Sequence, residues 1–245
     1  MNVEYHRAPS RNLGQDMELK VYGNAGKPVV VFPRRGGRFF EYEDSGMVEA
    51  CRPFIESGAV TLFTVDGVDH QSWINDSVPP AQRALRHVEY DRYVVEEVAP
   101  FIRGLLPRAE GFLATGCGMG AYHAANVFFR HPDLFDSLIA LSGRYSLKSI
   151  LGDYMDDSVY FHSPLAYLPN LTDPWYLERF RRSRIMVCAG QGAWEEETLA
   201  DTRALQGVLA AKGIPAWFDY WGSDVNHDWQ WWRLQMPYFL GRMGL

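Results

Sequence analysis

The chain has 245 residues, 47% hydrophobic and 22% charged, a globular composition long enough to bury a complete core without disulfides or a structural metal. Its 24 Lys and Arg against 30 Asp and Glu give a net charge of −6 with no basic stripe, which argues against a nucleic-acid partner. Three scattered cysteines, Cys51, Cys117 and Cys188, make neither a disulfide framework nor a Cys-x-x-Cys metal site and fit a reducing compartment.

The polar start, Met1 to Ser10, lacks the apolar stretch of a secretory leader, and no apolar run approaches the length of a membrane span. The expected setting is cytoplasmic, without a membrane partner, as a monomer or homo-oligomer. Met17 to Tyr22 reads as an edge strand, and the continuous apolar run Pro28 to Phe32 as a strand covered on both faces. Tyr42 to Ile55 has helical spacing, with Met47, Cys51 and Phe54 or Ile55 on one side, and Val60 to Val65 is a second central strand. A long helix is predicted over Tyr90 to Leu105, kinked or restarted at Pro100.

Phe112 to Thr115 is the next strand and Gly120 to Phe129 the helix after it; further strands are expected at Leu138–Ser142, Ile185–Ala189 and Ala216–Trp221. Helices over Glu197 to Ala211 and Trp229 to Leu240 complete the pattern. Such alternation predicts an α/β fold, a mostly parallel central sheet of six to eight strands with helices on both faces, in one domain spanning 1–245. Two Pro-rich interruptions, 67–85 and 143–184, follow strand ends, where open α/β sheets build binding loops or a small cap.

The chemistry centres on Gly116-Cys117-Gly118-Met119-Gly120, between a buried strand and a helix. This is the local build of a nucleophile elbow, Gly-x-Ser-x-Gly, in which small residues two before and two after the nucleophile let strand and helix backbones nearly touch. Both flanking glycines are present, and Gly118 stands where the serine is expected. A Rossmann or P-loop reading fails because position 121 is Ala and no Lys-Ser/Thr pair follows. Cys117 is expected to face the sheet–helix packing as an inert thiol.

After the last strand, His227 sits on a Gly-containing loop before a helix, the place of a general base whose tautomer a carboxylate would fix. Glu195 is the preferred orienting acid, with Glu197 and then Asp224 as alternatives, because the position three past the strand-ending Gly190 is Ala193. The competing explanation of Glu195 to Glu197 is an acidic first helical turn favoured by the helix dipole. Oxyanion donors are expected from the amide of Met119 and from the loop around Arg35 and Gly36. Arg34 and Arg35 are candidates to attract an anionic part of a substrate, and Trp73, Trp194 and Trp229 to line an acyl or aryl pocket.

These residues carry a resemblance. The Val29–Pro33 strand with Gly36-Gly37, Gly116-Cys-Gly-Met-Gly120-Ala-Tyr-His, His131-Pro-Asp-Leu-Phe135 and the His227 loop together resemble the esterase-D-like and mycolyltransferase-like esterase branch of the α/β-hydrolase superfamily. In that branch the elbow commonly reads Gly-Cys-Ser-Met-Gly, aligning the family's serine with Gly118. The resemblance implies the α/β-hydrolase fold and hydrolysis of a small-molecule carboxylic ester through an acyl-enzyme, without metal or organic cofactor. The chain departs from the pattern at Gly118 and at Ala193, where an aspartate is often found. It follows that the fold should persist, covalent catalysis should be impaired and ester should still bind. Two origins stay open: a catalytic chain whose serine has been exchanged for glycine, and a natural non-catalytic ligand-binding or regulatory homologue.

Overall fold

The computed structural model describes residues 1–245 and contains one eight-stranded sheet. In chain order the strands are β1 (Val3–Ser10), β2 (Gln15–Tyr22), β3 (Lys27–Phe32), β4 (Val60–Val65), β5 (Phe112–Cys117), β6 (Phe135–Leu141), β7 (Arg184–Ala189) and β8 (Trp217–Tyr220). Their spatial order is β1-β2-β4-β3-β5-β6-β7-β8; β2 runs antiparallel to both neighbours and all pairs from β4 onward are parallel.

The helices are α1 (Glu41–Asp44), α2 (Met47–Ala50), α3 (Arg52–Glu56), α4 (Pro80–Tyr93), α5 (Ala99–Leu105), α6 (Met119–Arg130), α7 (Lys148–Leu151), α8 (Asp157–Phe161), α9 (Pro164–Tyr167), α10 (Pro174–Arg182), α11 (Glu196–Ala211) and α12 (Trp229–Arg242). They form two layers because the central strands are apolar on both faces. Val30, Phe32, Phe63, Phe112 and Ala114 join the larger core under α4–α6 and α9–α11, while Val29, Val31, Leu62, Leu113 and Cys117 pack against α1–α3 and α12. Every residue of β4 and β5 is buried. This is the mostly parallel α/β sheet with helices on both faces that the alternation predicts, and the fold that the resemblance implies.

Three local expectations change. Met17 to Tyr22 is not the edge: β1 pairs outside it, and its mostly exposed, Pro9-containing sequence carries no apolar alternation to announce a strand. The Tyr42–Ile55 helix is three short pieces, broken at Gly46 and again ahead of Pro53, although Met47, Cys51 and Ile55 still face the core. The Tyr90–Leu105 helix begins earlier, at Pro80, and passes through a π-helical turn at Val94–Val98 immediately before Pro100. The wider turn accommodates a residue that lacks an N–H and crowds the preceding carbonyls.

Of the two interrupting segments, 67–85 holds a single 3₁₀ turn, Asp69–Gln71, and the start of α4, whereas 143–184 carries α7 to α10. No helix is long and apolar enough to cross a membrane.

Candidate active site

The elbow is set by backbone contact. A Cβ on Gly116 would lie 2.4 Å from the carbonyl carbon and oxygen of Gly120, and one on Gly120 would lie 2.4 Å from the carbonyl oxygen of Phe32. No residue larger than glycine fits either place. Between them Gly118 turns with φ +58° and ψ −119°, a conformation unfavourable for a residue with a Cβ. Its N–H donates to the Leu141 carbonyl at 2.9 Å, and its own carbonyl accepts from Ala121 and Tyr122, so the turn is locked to β6 and to α6.

His227 faces this turn. Its Nε2 is 3.1 Å from the point where a Cβ on Gly118 would sit. On the other side, Nδ1 is 3.5 Å from Oε2 of Glu195, whose side chain is 1% exposed. The contact is a long polar one, and Nδ1 has no closer partner. The loops that carry Glu195 and His227 are stitched together: His227 N–H donates to the Ala193 carbonyl at 3.1 Å, Gly192 N–H to the Val225 carbonyl at 2.9 Å, and Ala193 N–H to Asn226 Oδ1 at 2.8 Å.

Glu195 is held by more than its histidine. Ser142, immediately after β6, donates its hydroxyl to Oε1 at 2.5 Å, and the Thr198 hydroxyl contacts Oε2. Ser142 Oγ in turn accepts from the indole N–H of Trp232 at 3.1 Å, and the edge of that indole system meets the His227 ring at a centroid distance of 4.9 Å. One indole therefore touches His227 directly and reaches Glu195 through Ser142. Of the alternative acids, Glu197 is an exposed partner of Arg144 at 2.5 Å, and Asp224 is exposed.

Gly118, Met119, Arg35, His227, Ser142 and Thr198 line one cleft, closed on the far side by Tyr122, Arg144, Ser146, Leu147 and Ile150. Met119 opens α6, so its amide has no carbonyl one turn earlier in the helix to bond. The Arg35 amide makes no hydrogen bond within the protein. Gly36 departs from expectation: its N–H is used by Asp69 Oδ2 at 3.1 Å, and that carboxylate is held from the other side by His123 Nε2 at 2.9 Å.

The four expected substrate contacts do not line the cleft. Trp73 is fully buried, its ring 4.6 Å from that of His87, so it belongs to the packing beneath the cleft. Trp194 is 80% exposed. Trp229 packs edge-on against Trp232 at 5.0 Å, and Arg34 lies over it, also 5.0 Å from the ring centroid, while reaching Glu41 at 3.4 Å. Both are consumed in holding the loop after β3 against α12. Cys117 is buried on the α12 side of the sheet, and burial pushes its thiol well above the usual range.

Ser142, Thr198 and Arg144 are the site residues that sequence reasoning missed. Ser142 has a signal of a kind, since a polar residue directly after an apolar strand sits at the sheet end where sites form. Thr198 is three residues past Glu195, within a helical turn, and was readable only once the acid was known.

The "Putative esterase" family model matches residues 10–243. Among solved structures, a ferulic acid esterase is similar at a TM-score of 0.74 and 18% identity, covering 99% of this chain and 98% of its own. An S-formylglutathione hydrolase from Agrobacterium tumefaciens is similar at 0.73 and 14%, covering 98% and 93%. Another, from Staphylococcus aureus, reaches 0.71 and 16%, covering 99% and 96%. A sequence search of the curated proteins found no match.

Proposed function

The chain belongs to the "Putative esterase" family, and from that premise we propose that its cleft binds a carboxylic ester in an acyl-transfer geometry that lacks only the nucleophilic hydroxyl. The observation that carries this is the convergence on Gly118: His227 Nε2 at 3.1 Å from its Cβ position, Glu195 behind the ring, and the Met119 and Arg35 amides on the same cleft. In a chain with serine at 118, the hydroxyl would attack the ester carbonyl while His227 takes its proton. Glu195 would stabilise the imidazolium, and the two amides would receive the oxyanion. With glycine the acyl-enzyme cannot form at this position, and the site holds its ester without that covalent step.

Arg35 stands on the cleft wall without an acidic partner and favours a ligand with an anionic part; Arg34, tied to Glu41 and Trp229, and Arg144, paired with Glu197, are already engaged. Gly118→Ser tests the reading. The Gly118→Ser protein should release p-nitrophenol from p-nitrophenyl acetate with a burst and show an acetyl adduct by intact mass, and both should vanish in Gly118→Ser/His227→Ala. The new Cβ needs the imidazole to retreat by a few tenths of an ångström, so adduct formation, rather than speed, is the criterion. No adduct with any of a panel of short- and medium-chain activated esters and thioesters would overturn it.

One observation favours a second reading, a binding protein that does no chemistry. The ring of His227 stands close enough to Gly118 to crowd a Cβ, as expected of a site that has settled around glycine. Tight ester binding by the present chain without turnover is the outcome that selects it.

A further inference from the structure

A buried carboxylate is costly to maintain, by several kcal/mol unless it is hydrogen-bonded and paired. This chain keeps Glu195 buried, supplied with Ser142 and Thr198 hydroxyls, and directed at His227, although position 118 offers nothing for that histidine to deprotonate. No other nucleophile takes the place of serine. The Cys117 thiol is buried in the core beneath α12 and does not line the cleft. The Ser142 hydroxyl is engaged between Glu195 and Trp232, and the Tyr122 hydroxyl donates to the His162 carbonyl at 2.8 Å. Ser146 also lines the cleft, but its hydroxyl accepts the Lys148 N–H at 3.2 Å and makes no hydrogen bond to His227, so what remains beside Gly118 is a base without an internal proton donor.

We infer that the Glu195–His227 pair acts directly on water, making this chain a general-base hydrolase that cleaves activated esters in a single displacement. The inference rests on the reading of the cleft as an ester site. Nε2 stands too close to Gly118 for anything to lie between them, being 3.1 Å from the place of a Cβ there, but both residues line the open cleft, so a water molecule reaches Nε2 at hydrogen-bonding distance from the cleft beside Gly118, and the ester carbonyl is presented to it by the Met119 and Arg35 amides.

The step balances without any co-reactant. The water oxygen bonds to the carbonyl carbon as one of its protons passes to His227 Nε2, and the carbonyl π electrons move to the oxygen facing the two amides. Glu195 stabilises the imidazolium through Nδ1–H. The oxyanion collapses, the bond to the leaving oxygen or sulfur breaks, and the leaving group takes the proton from Nε2. Acid and alcohol or thiol depart, and no bond to the protein forms at any stage. The glycine matters because water is smaller than a fixed side chain and enters only when the ester leaves room; the general base contributes about 10²- to 10⁴-fold.

The test uses the full chain as it is, with p-nitrophenyl acetate as the probe. Expected is multiple-turnover release of p-nitrophenol at least about 10²-fold faster than in buffer carrying free imidazole at the protein's concentration. It should proceed without a burst and without acetyl adduct by intact mass. His227→Ala, purified identically and shown folded by circular dichroism, should lose the activity. Glu195→Gln, which keeps the shape of the acid, should lower kcat more than it raises KM. Turnover equal to buffer overturns the inference, as does turnover unchanged in His227→Ala or an acetyl adduct on the present chain. These failures are distinct from failure of the ester-site reading: if Gly118→Ser acylates while the present chain is inert, the site stands and water activation falls.

Discussion

Ser142 donates its hydroxyl to Glu195 at 2.5 Å while accepting the indole N–H of Trp232 at 3.1 Å, so one side chain fixes both the acid and the aromatic wall behind the base. It does so from a backbone with φ +55°, which only an over-determined environment sustains in a residue with a Cβ. Ser142→Ala should therefore cost about 1–3 kcal/mol, the usual range for stranding buried polar partners. Ser142→Gly removes the same hydroxyl but releases the backbone, and should lose less. Urea titrations of the two variants check this; equal losses would mean that the φ +55° conformation carries no strain.

The elbow makes a graded prediction. Gly116→Ala and Gly120→Ala place a methyl group 2.4 Å from backbone atoms that cannot yield, and neither protein should fold to a native urea transition. Gly118→Ala meets only the edge of His227 at 3.1 Å together with an unfavourable φ, and should fold with a penalty of about 1–3 kcal/mol. An equal penalty at all three positions would mean that the elbow is not held by backbone contact.

Beneath the cleft, Asn126 donates its amide hydrogens to His87 Nε2 at 3.1 Å and His162 Nδ1 at 3.0 Å, an arrangement that needs both imidazoles neutral. Burial pushes His162 down to about 3 and His87 well below the ordinary histidine value. Both folded-state values lie below those of the unfolded chain, so above about pH 6.5 the two states bind equal protons at these groups. As pH falls from there toward 3, the unfolded chain takes up protons that the folded one refuses, and stability is lost. Roughly 2–4 kcal/mol should disappear between pH 7 and 5. Urea unfolding across that window measures it, and His87→Gln should reduce the slope; a flat profile would show that the buried pair protonates in place.

Much of this fold is written in apolar runs: Val60–Val65 is β4 residue for residue, and Phe112 with its neighbours is recognisable because central strands are apolar on both faces. What escaped was structure made by context. β1 is a polar strand held by its pairing with β2, and the break at Gly46 interrupts an otherwise helical spacing without altering which residues face inward. The convergence of Gly118, His227 and Glu195 is legible because each follows a strand end. Trp73 and Trp194 misled because a tryptophan near a cleft in sequence can point into the core or into solvent, and here the two do one of each. Gly36 was placed correctly as a loop glycine, but the partner of its amide, Asp69, is 33 residues away and no local pattern announces it.

Charge in the cleft supplies the last prediction. Arg34 reaches Glu41, Arg38 reaches Asp66 and Glu18, and Arg144 reaches Glu197, whereas Arg35 has no acidic partner although the chain carries a net charge of −6. An unpaired guanidinium on the wall of the cleft attracts a carboxylate, with a strength limited by its exposure to water. Monomethyl succinate should therefore bind more tightly than dimethyl succinate, by about two- to fivefold, the range of an exposed ion pair. Isothermal titration calorimetry reads this. The preference should shrink as salt shortens the Debye length from about 10 Å at 0.1 M toward 3 Å at 1 M. It should also vanish in Arg35→Ala while dimethyl succinate binds as before. A preference that survives both salt and Arg35→Ala would place the anion against Arg144 instead, and a preference for the neutral diester would remove the carboxylate from the ligand altogether.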